Sequence, residues 1–123
     1  MRQTQLKLHT AALTFLTIIC YALPSHAEDA NKYWIDVRTP AEFASGHVEG
    51  AANIEFQLIS EQIATITNNV DAEIHLYCRS GRRSGVAKQT LEDLGFRNVT
   101  NEGGIAHALV SFQKQKEIAK VTD

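Results

Sequence analysis

One stretch of this chain, Glu73 to Leu94, admits few folds. The apolar run Ile74-His75-Leu76-Tyr77 leads into Cys78 and then into Arg79-Ser80-Gly81-Arg82-Arg83-Ser84, and a helical pattern follows at once. A short run of β-branched and aromatic residues before a Gly-containing cationic turn reads as a buried strand, with Cys78 at its C-terminal end. Past the turn, Val86, Ala87, Thr90, Leu91 and Leu94 recur at intervals of three and four. That spacing predicts one face of a helix starting near Arg83 or Ser84, and Gly95 stands where a left-handed C-cap belongs. In an open α/β sheet such a strand-to-helix crossover is where ligands bind. The helix start turns unpaired N–H groups and the positive end of its dipole into the loop. A thiol placed there, with three arginines around it, should ionise below its ordinary value of about 8.5. Free cysteines are commonly small buried hydrophobes and basic loops commonly just solvated. Here strand end, turn glycine, three cations and helix start coincide, which points to a reactive nucleophile.

The spacing narrows the chemistry. From Cys78 the pattern is Cys-x4-Arg, closed by Arg83, one residue shorter than the Cys-x5-Arg cradle of cysteine phosphatases, whose sixth position would be Ser84. The segment Cys78-Arg79-Ser80-Gly81-Arg82-Arg83 resembles the six-residue active-site loop of rhodanese-type sulfurtransferases. Asp36-Val37-Arg38 with Glu42-Phe43, Gly46-His47-Val48, Gly50-Ala51 and Asn53-Ile54 is similar to the N-terminal signature of the same family. The resemblance covers Trp34 to about Phe112. The family often carries a Trp a few residues after its paired glycines, whereas this chain has Gly103-Gly104-Ile105-Ala106-His107-Ala108. By the family's pattern the shorter loop suits the sulfane sulfur of thiosulfate, or a persulfide on the cysteine itself. Asp36 and Arg38, two apart at a strand end, are expected as structural support that pairs and ties down loops, not as catalysts.

The rest of the 123 residues are consistent with one small domain. Arg2 and Lys7 precede the uncharged stretch Thr10 to Leu23, and Ser25-His26-Ala27 places small residues at the −3 and −1 positions of a cleavage site. This predicts a secretory signal peptide over 1–27 and an exported, periplasmic domain over 28–123. The uncharged stretch is 14 residues, short of the roughly 20 that span a bilayer, so no stable membrane insertion is expected after cleavage. Residues 28–123 hold ten Lys or Arg against 14 Asp or Glu, a net charge of −4 that argues against general nucleic-acid binding. Cys78 is then the single cysteine, which excludes an internal disulfide where disulfides are usual. His47, His75 and His107 lack metal-ligand spacing, so no metal or other cofactor is called for.

The remaining pattern alternates strand and helix and predicts an α/β fold, a small parallel sheet flanked by helices. Tyr33 to Val37 reads as a buried strand. Thr39, Pro40 and Glu42 open a helix as N-cap, N1 and N3 of a capping box, with Phe43 inward. A short strand is expected over Ala52 to Ile54, and an amphipathic helix from Leu58, Ile59, Ile63 and Ile66 that ends at Asn68-Asn69. A last short strand covers Asn98-Val99-Thr100. Ile105 to Ile118 closes the chain as a helix burying Leu109, Phe112 and Ile118.

The resemblance implies a sulfurtransferase of the thiosulfate:cyanide type. Cys78 would be the catalytic nucleophile; Arg79, Ser80, Gly81, Arg82, Arg83 and Ser84 would bind substrate, with Arg79 and Arg82 at the mouth and Arg83 partly structural. The expected partners are a small sulfur donor, thiosulfate or a persulfide, and cyanide, a thiol or a protein as acceptor. A non-catalytic persulfide carrier or a redox-sensing module would use the same Cys78. A cysteine phosphatase would need the longer loop.

Overall fold

The computed structural model describes residues 31–122. The expected signal peptide, Met1 to Ala27, with Cys20 inside it, lies outside the described residues. Four parallel strands form the sheet: β1 (Lys32–Asp36), β2 (Ala52–Asn53), β3 (Glu73–Cys78) and β4 (Val99–Gly104), in the order β2-β1-β3-β4. Helices α1 (Pro40–Ala44), α2 (Ile59–Gln62), α3 (Arg82–Asp93) and α4 (Ile105–Thr122) intervene in sequence. The expected small parallel α/β sheet is therefore what the chain forms. The strand order reverses direction between β1 and β3, so their C-terminal ends flank the crevice in which such sheets bind ligands.

Both faces of the sheet are covered, which is why β3 is buried from Ile74 to Cys78 rather than alternating with polar residues. On one face Ile35, Val37, Ile74, Leu76 and Cys78 pack with Ile54, Ile59, Ile63, Ala87, Leu91 and Phe96. On the other, Trp34, Val48, Tyr77 and Ala108 pack with Ile105 and Phe112. Trp34 meets Phe112 edge-on at 5.4 Å and stacks on His75 at 4.5 Å.

Several expectations are corrected in detail. Helix α3 begins at Arg82, a residue early, because Gly81 takes the N-cap in the left-handed region at φ 97°. Its inward stripe is Ser84, Ala87 and Leu91, while Val86 and Leu94 face solvent. At its end, Gly95 N–H bonds Glu92 O at 2.9 Å and Phe96 N–H bonds Leu91 O at 3.1 Å, the Schellman pattern, with Phe96 packed in the same core as Leu91. The single helix expected from Leu58 to Ile66 is a short α2 between two 3₁₀ turns, Phe56–Leu58 and Ile63–Thr65. Burying Ile59 and Ile63 fixes the segment, but no side chain caps it and its β-branched run propagates a helix poorly. Strand β4 extends past Thr100 to absorb both Gly103 and Gly104. Helix α4 runs to Thr122 and turns Ala108 inward, with Leu109 and Ile118 exposed. Phe43 is only half-buried and stacks on His47 at 3.7 Å.

Candidate active site

Strand β3 carries Cys78 to the C-terminal edge of the sheet, buried beneath the loop that leads to α3. The left-handed conformation of Gly81 turns its N–H back onto Cys78 Sγ at 2.9 Å. Ser84, on the first turn of α3, places its hydroxyl oxygen 3.5 Å from Sγ. Burial opposes ionisation of the thiol. The Ser84 hydroxyl and the N–H groups of Ser84, Ser80 and Gly81 outweigh that cost and hold it down at about 7. The sequence pointed to the helix start and to the arginines together; the bonds on Sγ come from the loop and helix-start N–H groups and from the Ser84 hydroxyl, which the sequence did not single out as a donor to the thiolate.

The three arginines divide. Arg79 and Arg82 are exposed at the loop. Arg83 instead donates from both terminal nitrogens to the two carboxylate oxygens of Glu42, each at 2.9 Å. Glu42 is also the capping-box residue of α1, accepting from Thr39 N–H at 3.0 Å. The Arg83 bonds, joined by those from Thr39, hold the Glu42 carboxyl well below the usual carboxylate range. One residue thus clamps α1 to the start of α3. In sequence Glu42 showed as a capping-box residue and as part of the Glu42-Phe43 motif, but its pairing with Arg83, 41 positions away, did not show.

The floor of the loop comes from β4. Leu76 pairs with Asn101 but Cys78 with Gly104, a slip of one residue that inserts a bulge beside the cysteine. A Cβ on Gly104 would stand 2.6 Å from the Arg79 carbonyl oxygen, and one on Gly81 would stand 3.2 Å from Gly103 Cα. Only glycines allow that approach. Asn101, which sequence reasoning did not single out, accepts from Ser84 Oγ at 2.7 Å and donates to Gly81 O at 3.0 Å.

Asp36 and Arg38 stand on the neighbouring β1 end. The Arg38 guanidinium bonds both Asp36 oxygens, at 2.6 to 3.0 Å, and donates onward to Gly46 O at 2.7 Å. The Asn53 amide donates to the carbonyl oxygens of Asp36 and Arg38 at 3.0 and 2.9 Å. Tyr77 accepts Val48 N–H at 2.9 Å, and burial pushes its phenol upward. These contacts tie the loop after α1 to the sheet and touch no atom of Cys78.

Among the described residues no group of three His, Cys, Asp or Glu could hold a metal ion. A cavity of about 720 Å³ among them is lined by Trp34, Phe112 and Lys116 and includes no residue of the cysteine loop. The donors that converge on Cys78 Sγ lie outside that cavity.

The rhodanese-like domain family matches residues 22–107. The chain belongs to the rhodanese-like family. Thiosulfate sulfurtransferase PspE of Escherichia coli strain K12 is 38% identical over 87 residues, covering 71% of this chain and 81% of that protein. A sulfurtransferase of Allochromatium vinosum is 39% identical over 72 residues, 58% of this chain and 65% of that one. Among solved structures, a rhodanese with anions from E. coli superposes with a TM-score of 0.60 at 39% identity, covering 62% of this chain and 89% of its own. This rhodanese-like chain is a sulfurtransferase. Among its described residues no helix is long and apolar enough to cross a membrane.

Proposed function

We propose that this protein moves a sulfane sulfur from thiosulfate to a thiophilic acceptor through a persulfide on Cys78. The Cys78 thiolate attacks the outer sulfur of thiosulfate. The S–S bond of the donor breaks, its electron pair leaves with sulfite, and Cys78 carries the outer sulfur. Cyanide or a thiolate then attacks that sulfur, forming thiocyanate or a new persulfide and returning the thiolate. The observation that carries this reading is the ring of donors on Sγ: Gly81 N–H at 2.9 Å and the Ser84 hydroxyl oxygen at 3.5 Å, on a thiol held at about 7. A thiol at that value is about half ionised at pH 7 yet keeps much of its nucleophilicity.

Arg79 and Arg82, exposed at the loop, meet the incoming anion and the departing sulfite. The N–H groups from Arg79 to Ser84 hold the terminal sulfur. Arg83, already paired with Glu42, holds the loop's shape. Before export, the signal peptide over 1–27 precedes the domain over 28–123, and the mature domain works in the periplasm. The uncharged stretch Thr10 to Leu23 and the small residues at Ser25 and Ala27 support that placement. The physiological acceptor is a thiol or a protein cysteine reached at the loop's mouth. Thiocyanate formation from thiosulfate and cyanide, compared between wild type and Cys78→Ser, tests the mechanism. Turnover should vanish in the variant while its melting curve stays close to wild type; retained turnover would overturn it.

A further inference from the structure

The side chain of Asn101 is used three times. Its Nδ2 donates to Gly81 O at 3.0 Å, and its Oδ1 accepts the Ser84 hydroxyl at 2.7 Å and Gly103 N–H at 2.9 Å. Gly81 and Ser84 are the residues whose N–H and hydroxyl touch Cys78 Sγ. Ser84 has one hydroxyl proton and three acceptors within reach: Asn101 Oδ1 at 2.7 Å, Gly81 O at 3.1 Å and Sγ at 3.5 Å. Asn101 Oδ1 is the nearest of the three and the favoured acceptor while Cys78 is an uncharged thiol; a negative sulfur competes for the same proton. A neutral amide oxygen releases the proton to an anion; a carboxylate, a stronger acceptor, would keep it.

We propose that Asn101 is a positioning residue for sulfur transfer, fixing Gly81 and holding the Ser84 proton on a neutral oxygen from which a negative sulfur can take it. The inference rests on Cys78 being the sulfur carrier. Around the loop the charged groups are Arg79, Arg82 and the Arg83–Glu42 pair; Glu102, next to Asn101, turns its carboxylate to His75 on the other face.

Asn101→Asp keeps the shape and the accepting oxygen but makes that oxygen part of an anion, and it removes the Nδ2 donor to Gly81 O, a loss common to both backgrounds compared below. The pH midpoint of Cys78 alkylation by iodoacetamide should rise by about one unit, and transfer at pH 7 should fall about fivefold. In a Ser84→Ala background there is no proton to contest, so the same substitution should move the midpoint less than half as far. No rise in N101D, or an equal rise in both backgrounds, overturns the proposal. If N101D does not fold, Asn101→Gln, with the amide displaced by one methylene, should slow transfer at least threefold, and wild-type rates there overturn it equally. A wild-type protein that gains no sulfur from thiosulfate would defeat the functional reading instead, leaving the alkylation comparison intact.

Discussion

Replacing Gly104 by Ala tests how tightly the sheet supports the loop. The added methyl carbon would stand 2.6 Å from the Arg79 carbonyl oxygen and 3.4 Å from its carbonyl carbon. Contacts below 3.0 Å are essentially never adopted and ordinary contact begins at 3.4 Å, so the Arg79–Ser80 peptide must retreat by about 0.4 to 0.8 Å. Both neighbours are backbone, so no flexible side chain can yield instead. The donors that follow Arg79 in the loop move with it. A misplacement near 1 Å can cost about a hundredfold in rate, so kcat/KM for thiosulfate should fall by roughly ten- to a hundredfold. Overpacking costs about 1 to 3 kcal/mol, which for a domain of this size lowers Tm by about 5 to 20 °C. Gly85→Ala is the control. Its Cβ would lie 3.4 Å from Asn101 Nδ2, in ordinary contact, and alanine suits a helix better than glycine by up to about 1 kcal/mol. It should keep activity within about threefold and melt no lower than wild type. Thiocyanate formation and thermal melting on both variants decide the matter. A G104A protein with activity within threefold of wild type would refute the close-approach reasoning.

Two further outcomes follow from the site. The alkylation rate of Cys78 should rise through pH about 7 in the native protein and only through about 8.5 in the denatured chain. Because the folded thiol is the more acidic, the unfolded chain holds its proton longer, so this group adds stability as pH rises from 7 toward 8.5 and none below 7. Coincident alkylation midpoints would contradict both statements. Glu42→Gln should lower Tm by about 5 to 15 °C, from the loss of a partly exposed bidentate pair of about 1 to 2 kcal/mol. The wild type should lose that margin as acid protonates Glu42 and the variant should not; an unchanged Tm at neutral pH would show that the clamp contributes nothing.

The fold was legible because its signals are local. The capping box at Thr39 and Glu42, the apolar run before Cys78 and the Gly95 C-cap each act over a few residues. What escaped depends on partners distant in sequence. Val86 and Leu94 share the helical spacing of Ala87 and Leu91, but the rotation of α3 against β3 is set by the sheet, which leaves the first pair in water. Leu109 and Ile118 were misplaced on α4 for the same reason. At the site, the residue types near Cys78 announced an anion cradle and set Arg83 apart from Arg79 and Arg82, while the distant partners that hold the cradle did not show. Arg83, expected to bind substrate and to be partly structural, gives both terminal nitrogens to Glu42, a partner 41 positions away in sequence. Asn101 carries no local signal, because its importance lies in reaching from β4 to the first turn of α3.

The central claim is that Cys78 carries sulfur. Intact mass of the purified protein after thiosulfate treatment tests it most directly, with cyanide added to a second aliquot and Cys78→Ala run in parallel. The account predicts a gain of one sulfur, about 32 Da, that cyanide removes and the variant never acquires. A reduced wild-type protein that gains nothing from thiosulfate, or a variant that gains as much, would contradict it.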